Sequence, residues 1–198
     1  MEERFADITI DEVLWDRFYL PYSLVVIGSK EKNAFDLAPK HMAMPLGWEN
    51  YFGFVCTPRH ATYKNIKKHG TFTVSFPKVD QLAFASLAAS PRSKKENEKV
   101  ILKHIETIPA EIVDGVFLKD SILMFECNLH KIYDDFGKSS LISGKIIKAK
   151  IDIDYLRVSD INDQLLIYNH PILSYLYPDR YAIIKETVAF PFPKGFKK

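Results

Sequence analysis

Nowhere in these 198 residues do about 18 apolar residues run on unbroken, so the sequence offers no helical membrane span. Cysteine is nearly missing. Cys56 and Cys127 lie far apart, each inside an apolar run, which excludes a disulfide framework. The pair reads as two buried free thiols in a reducing compartment, with one long-range disulfide as the alternative. Neither charge is in clear excess: 27 Lys and Arg face 25 Asp and Glu, a formal net of +2. A nucleic-acid partner, which needs cations concentrated on one face, is therefore not expected. The amino terminus, MEERFADITIDE, has neither the basic start nor the apolar stretch of a secretory signal, and a cytoplasmic location is expected.

Catalytic signatures are equally scarce. Gly28 has no glycine partners at the spacing of a dinucleotide fingerprint or a phosphate-binding loop, so those nucleotide folds are not expected. No Gly-x-Ser-x-Gly elbow occurs, and neither cysteine reads as electropositively activated. His41, His60, His69, His104, His130 and His170 show no i,i+4 pairing among themselves and no cysteine nearby, so no metal site is expected. Hydrolytic and nucleophilic chemistry have little support here.

What the chain does have is apolar and aromatic bulk. Hydrophobic residues make up 47%, which rules out intrinsic disorder, and 14 Phe, 10 Tyr and 2 Trp make up 13%. No Gly/Ser-rich linker divides it, so one domain over 1–198 with a C-terminal extension is expected. The run 24–29 (Leu-Val-Val-Ile-Gly-Ser) reads as a buried strand, and 50–57 as another, stopped by Pro58. A short helix over 62–69 ends at Gly70, followed by a strand over 71–76 closed by Pro77. Helical patterns cover 80–89 and 94–105. A strand over 121–133 turns at 134–138 and returns over 141–151, with Leu123, Phe125, Cys127 and Leu129 on one face and Glu126, Asn128 and His130 on the other. Hairpins mixed with short helices predict a mainly β antiparallel barrel with helical insertions.

Two segments carry candidate chemistry. In Thr57-Pro58-Arg59-His60-Ala61-Thr62 the threonine at 62 is placed to cap the following helix, with two solvated basic residues before it as the plain reading. Cations at the positive end of a helix are, however, disfavoured by a few tenths of a kcal/mol, and a bound anion reverses the sign. Free N–H groups, a hydroxyl and a guanidinium together suit a phosphate. The second segment, 33–45 (Asn-Ala-Phe-Asp-Leu-Ala-Pro-Lys-His-Met-Ala-Met-Pro), reads locally as a connecting loop on the barrel rim. Its small residues would let a ligand approach the backbone closely. Ser93-Lys94-Lys95-Glu96 and Lys197-Lys198 read as solvated faces, while Phe190-Pro191-Phe192-Pro193-Lys194-Gly195-Phe196 is apolar enough to pack on its own domain or a partner subunit.

Taken in order, Pro21 and the 24–29 strand, Asn33-Ala34, the block Arg59 to Phe76, Phe125-Glu126-Cys127 and Ser143-Gly144-Lys145-Ile146-Ile147 resemble the flavin reductase-like FMN-binding split barrels, which include flavoredoxin. The resemblance implies a six-stranded antiparallel Greek-key split barrel, homodimeric, with FMN in a groove near the subunit interface. It places the FMN phosphate by Arg59, His60 and Thr62. The ribityl and ring portions fall along Asn33, Ala34, Leu37, Ala38, Met42, Ala43 and Met44. At Met42, Ala43 and Met44 many relatives carry Ser or Thr, so here only backbone N–H groups are left to meet the flavin. The implied activity is FMN-dependent oxidoreduction with hydride from NAD(P)H, passed to free flavin or a redox partner protein. A flavoredoxin-like carrier without direct NAD(P)H reaction, or a split barrel holding another cofactor such as haem, are the alternatives. No protein acid or base is obligatory for hydride transfer to a flavin, which accords with the lack of a catalytic dyad.

Overall fold

The computed structural model describes residues 4–93 and 99–196. Its centre is an antiparallel sheet of seven strands. These are β2 (Val25–Glu31), β3 (Ala34–Lys40), β4 (Ala43–Pro45), β5 (Tyr51–Cys56), β6 (Thr71–Phe76), β9 (Leu123–Phe136) and β10 (Ser139–Ile151), in spatial order β3-β2-β6-β9-β10-β5-β4. β3 and β4 lie at opposite edges of this sheet, yet only His41 and Met42 separate them in the chain. The sheet must therefore curl until its edges meet, which makes it a split barrel. The count is seven rather than the expected six because the three-residue β4 pairs with β5, Ala43 opposite Phe54.

Inside the barrel Val25, Ile27, Phe52, Phe54, Phe72, Val74, Cys127 and Ile142 form the core. Gly144 permits this packing: a Cβ there would lie 2.4 Å from Phe72 Cζ. α1 (Ala61–His69) seals the barrel with Ile66 and Tyr63, and Asn65 Nδ2 donates to Ser29 Oγ at 3.1 Å, tying it to β2. Gly70 ends the helix in the left-handed conformation, φ 72°, as its position predicts. α2 (Leu82–Leu87) covers the other face of β2 and β3, where Val26 and Leu37 meet Ala85 and Ala88. Burial on both faces explains why β2 reads as a continuous apolar run.

A second sheet joins β1 (Leu20–Ser23), β11 (Ile172–Tyr177) and β12 (Arg180–Ile184), in the order β1-β11-β12. β7 (Thr107–Pro109) pairs with β8 (Val116–Leu118), and a third helix, α3 (Asp163–Asn169), precedes β11. Several expectations need correction. The segment 33–45 is not a loop but β3 and β4, its weak strand chemistry overridden by pairing with β2 and β5. Pro39 is tolerated because β3 is an edge. Thr62 does not cap α1; it is a buried residue of the first turn, and His60 takes the N-cap position. The hairpin turn is shorter than 134–138, since β9 continues to Phe136. Of the helix expected over 94–105, residues 94–98 lie outside the described residues, as do Lys197 and Lys198. The remainder is a 3-10 turn, Val100–His104.

Glu126, on the face opposite Phe125 and Cys127, is buried as well. Only 2% exposed, it accepts N–H bonds from Glu111, Ile112 and Val113 at 3.0, 2.7 and 2.8 Å. The C-terminal aromatics stay largely exposed: Phe190 is 72% exposed, and its ring meets Phe192, which in turn stacks on Phe196.

Candidate functional site

The N-terminus of α1 opens onto a cavity of about 260 Å³. Ala61 and Thr62 line it from the helix, Asp36, Ala38 and Lys40 from β3, and Arg92 and Lys99 from the segment after α2. The helix end is bare: the N-cap His60 makes no side-chain capping bond, and the first turn holds no acidic residue. Its first N–H groups have no intrahelical acceptor and carry the positive end of the helix dipole.

Three lysines and arginines line this cavity, and they are not equivalent. Lys99 Nζ donates to Leu37 O at 2.7 Å and Ala88 O at 2.9 Å, and pairs with Asp36 Oδ1 at 3.0 Å. Two of the three ammonium donors go to carbonyls and its charge is matched by Asp36, so Lys99 is a staple rather than a ligand. Arg92 pairs with Asp36 at 3.1 Å and with Glu31 at 3.0 Å. Lys40 makes no ion pair among the described residues. The cation available to an incoming anion is therefore Lys40.

Lys40 also shapes its neighbours. Burial lowers the His60 pKa, and the charges of Lys40, Arg59 and Lys99 lower it further against the opposing pull of Asp36. Burial pushes the Cys56 thiol up, with Lys40 the main opposing influence. Cys56 Sγ and His60 Nδ1 lie 4.0 Å apart. So this histidine does have a cysteine neighbour, four residues upstream, contrary to the sequence expectation. Burial outweighs the Lys40 charge, and this favours the protonated thiol.

His41, on the two-residue bridge between the sheet edges, stacks on Tyr175 and Tyr177 with ring centroids 4.7 and 5.4 Å away. Burial and the Lys40 charge lower its pKa. Both histidines are thus favoured neutral in the folded chain, while the unfolded chain takes up protons near its ordinary value. Stability should be fully present above about pH 6.5 and fall as the pH drops below it, where the unfolded state binds protons that the native state refuses. Urea midpoints between pH 7.5 and 5.5 test this. The fall should shrink in His41→Phe, which keeps an aromatic ring and removes the titration; an equal fall would dismiss His41 as a contributor.

The residues singled out from sequence fall into three groups, with Arg59 apart from all of them. Ala38, His60 and Thr62 line the cavity at α1. Asn33, Ala34 and Leu37 line a second one of about 510 Å³ along the β2–β3 hairpin, and Lys99 borders both. Met42, Ala43 and Met44 lie on and just before β4, with Ala43 buried and Met44 exposed, and they border neither. Arg59 is exposed and outside the cavity lining. Lys40, Asp36, Arg92 and Lys99 were missed. The one local signal for them was a carboxylate and a lysine inside an otherwise apolar 33–45 segment.

A family model described as "Flavin reductase like domain" matches residues 17–170, most of the chain. The chain belongs to that family. Among solved structures, flavoredoxin from Methanosarcina acetivorans superposes with a TM-score of 0.76 at 18% identity, covering 97% of each chain. A 2-nitrobenzoate 2-nitroreductase from Pseudomonas fluorescens gives 0.80 at 16% identity, covering 98% of this chain and 99% of its own. At such identities the likeness speaks for the fold. An uncharacterized protein of Pyrococcus abyssi is 29% identical over 97 residues, 48% of this chain and 53% of that protein. Within this flavin reductase-like fold, the cavity at α1 is the described place where β3, the bare helix end and an uncommitted lysine converge.

Proposed function

We propose that this flavin reductase-like protein binds FMN at the α1 cavity and serves as an oxidoreductase that takes hydride from NAD(P)H. The observation that carries the reading is the uncapped N-terminus of α1 facing Lys40. Together they offer a phosphate the N–H donors and, of the lysines and arginines in the cavity lining, the one with no ion pair among the described residues. Thr57 Oγ1, just before the helix, is buried without a hydrogen-bond partner among the described residues, which fits a site awaiting a polar group. Bound FMN supplies the hydride-accepting ring. The protein's part is to hold and orient it, with β3 and the bridge to β4 beside the ring portion and Lys40 at the anionic end.

Titration with FMN, followed by the visible spectrum, tests the reading; no spectral change on mixing would overturn it. Lys40→Met should weaken binding about 10- to 100-fold, the equivalent of a charge-assisted bond. Arg59→Ala should have the smaller effect, since Arg59 lies outside the lining; the reverse order would restore Arg59 as the phosphate ligand. Stopped-flow mixing with NADH and NADPH separates a reductase from a flavoredoxin-like carrier, which bleaches only with a protein donor. The protein is further read as a homodimer, because the exposed Phe190, Phe192 and Phe196 are suited to a partner subunit, and as cytoplasmic from its amino-terminal sequence.

A further inference from the structure

A third cavity, about 680 Å³, lies between α2 and the second sheet. It shares Pro39, Lys40 and Ala89 with the α1 cavity, so occupants of the two would touch. Its walls are of two kinds. Leu24, Leu82 and Ala83 give an apolar side. Opposite stand Tyr175 and Tyr181, cross-strand partners in β11 and β12, which therefore present their rings on the same face of the sheet. Arg180 sits beside them at the start of β12, next to Asp179, with Lys40 at the junction of the two cavities. The volume suits a single-ring ligand with room to spare. Lys40 is left to the α1 cavity, and Arg180 makes no ion pair among the described residues, so its guanidinium is open to an added carboxylate.

We propose that this cavity binds a planar aromatic carboxylate, its ring between the α2 apolar side and the paired tyrosines and its acid group toward Arg180. Apolar and aromatic walls bury the ring, and the guanidinium offers two parallel donors that match a carboxylate. That such a ligand would serve as second reactant rests on the flavin reading above; the binding site itself does not.

The probe is benzoate, measured by calorimetry on the full chain with and without FMN, so that failure of one reading is visible apart from the other. Benzoate should bind in both states, and benzamide, the same shape without the charge, should bind about tenfold more weakly or worse. Arg180→Ala should weaken benzoate by a similar factor and Arg180→Lys should restore part of it, because the side chain is exposed and its loss leaves the fold intact. Tyr181→Ala should weaken benzoate and benzamide alike. Equal affinity for the two probes, an unchanged affinity in Arg180→Ala, or no benzoate binding would each overturn the proposal. Absent FMN binding with benzoate binding retained would instead remove the flavin reading alone.

Discussion

Asp36→Ala should lower the stability of this protein by about 3–5 kcal/mol, the usual penalty for stripping a buried cation of its partner. Asp36 is 2% exposed, and the Lys99 side chain paired with it only 11%. Without the carboxylate, the Lys99 ammonium faces two carbonyls, Leu37 O and Ala88 O, and no negative charge. Arg92 loses its Asp36 contact as well, keeping Glu31. Asp36→Asn keeps the shape and part of the hydrogen bonding, so its loss should be smaller. Urea unfolding gives the measurement, with the midpoint shifting and the slope unchanged if the effect is on the native state. A loss below about 1 kcal/mol would mean the cluster behaves like a solvent-screened surface pair. Because the same cluster holds Lys99 and Arg92 at the α1 cavity, FMN affinity in Asp36→Asn reports whether the site depends on it.

Glu126→Ala should be comparably damaging, also about 3–5 kcal/mol, by a different route. One carboxylate gathers three successive backbone N–H groups, those of Glu111, Ile112 and Val113. It pins the loop between β7 and β8 against β9. Removing it leaves at least the buried Val113 N–H without an acceptor, itself a loss of about 1–3 kcal/mol. Hydrogen exchange localises the effect: these three amides should lose protection well before those of β9 and β10. If they exchange at the wild-type rate in the variant, water replaces the carboxylate freely and the pinning role is gone.

Much of the barrel was legible locally. β2 and β6 carry β-branched and aromatic runs bounded by turn residues, and the long β9–β10 hairpin alternates as a half-buried ribbon should. Gly70 marked the end of α1 by backbone sterics alone. The bare, cation-flanked helix start was visible too, though the capping residue was misplaced by two positions. Lys40 was not legible as a ligand, because nothing in Pro39-Lys40-His41 shows that this lysine lacks a carboxylate partner. That depends on which cations Asp36 has already taken, and Arg92 and Lys99 come to it from more than 50 residues downstream.

Net charge is a bulk quantity, and near neutrality over the chain coexists with local concentration: the α1 cavity gathers four basic side chains (Lys40, His60, Arg92 and Lys99) around a single buried carboxylate. Scarce cysteine agrees with two free buried thiols. The sequence by itself determined the strand-rich core, the helix that seals it and the family pattern. These follow from side-chain periodicity and backbone preference, which act over a few residues. Tertiary structure alone decided that 33–45 is a pair of edge strands, that Glu126 points at a loop rather than water, and that Lys40 is the cation left over. Each of those is a pairing between distant segments, and local chemistry carries no record of which partner will arrive.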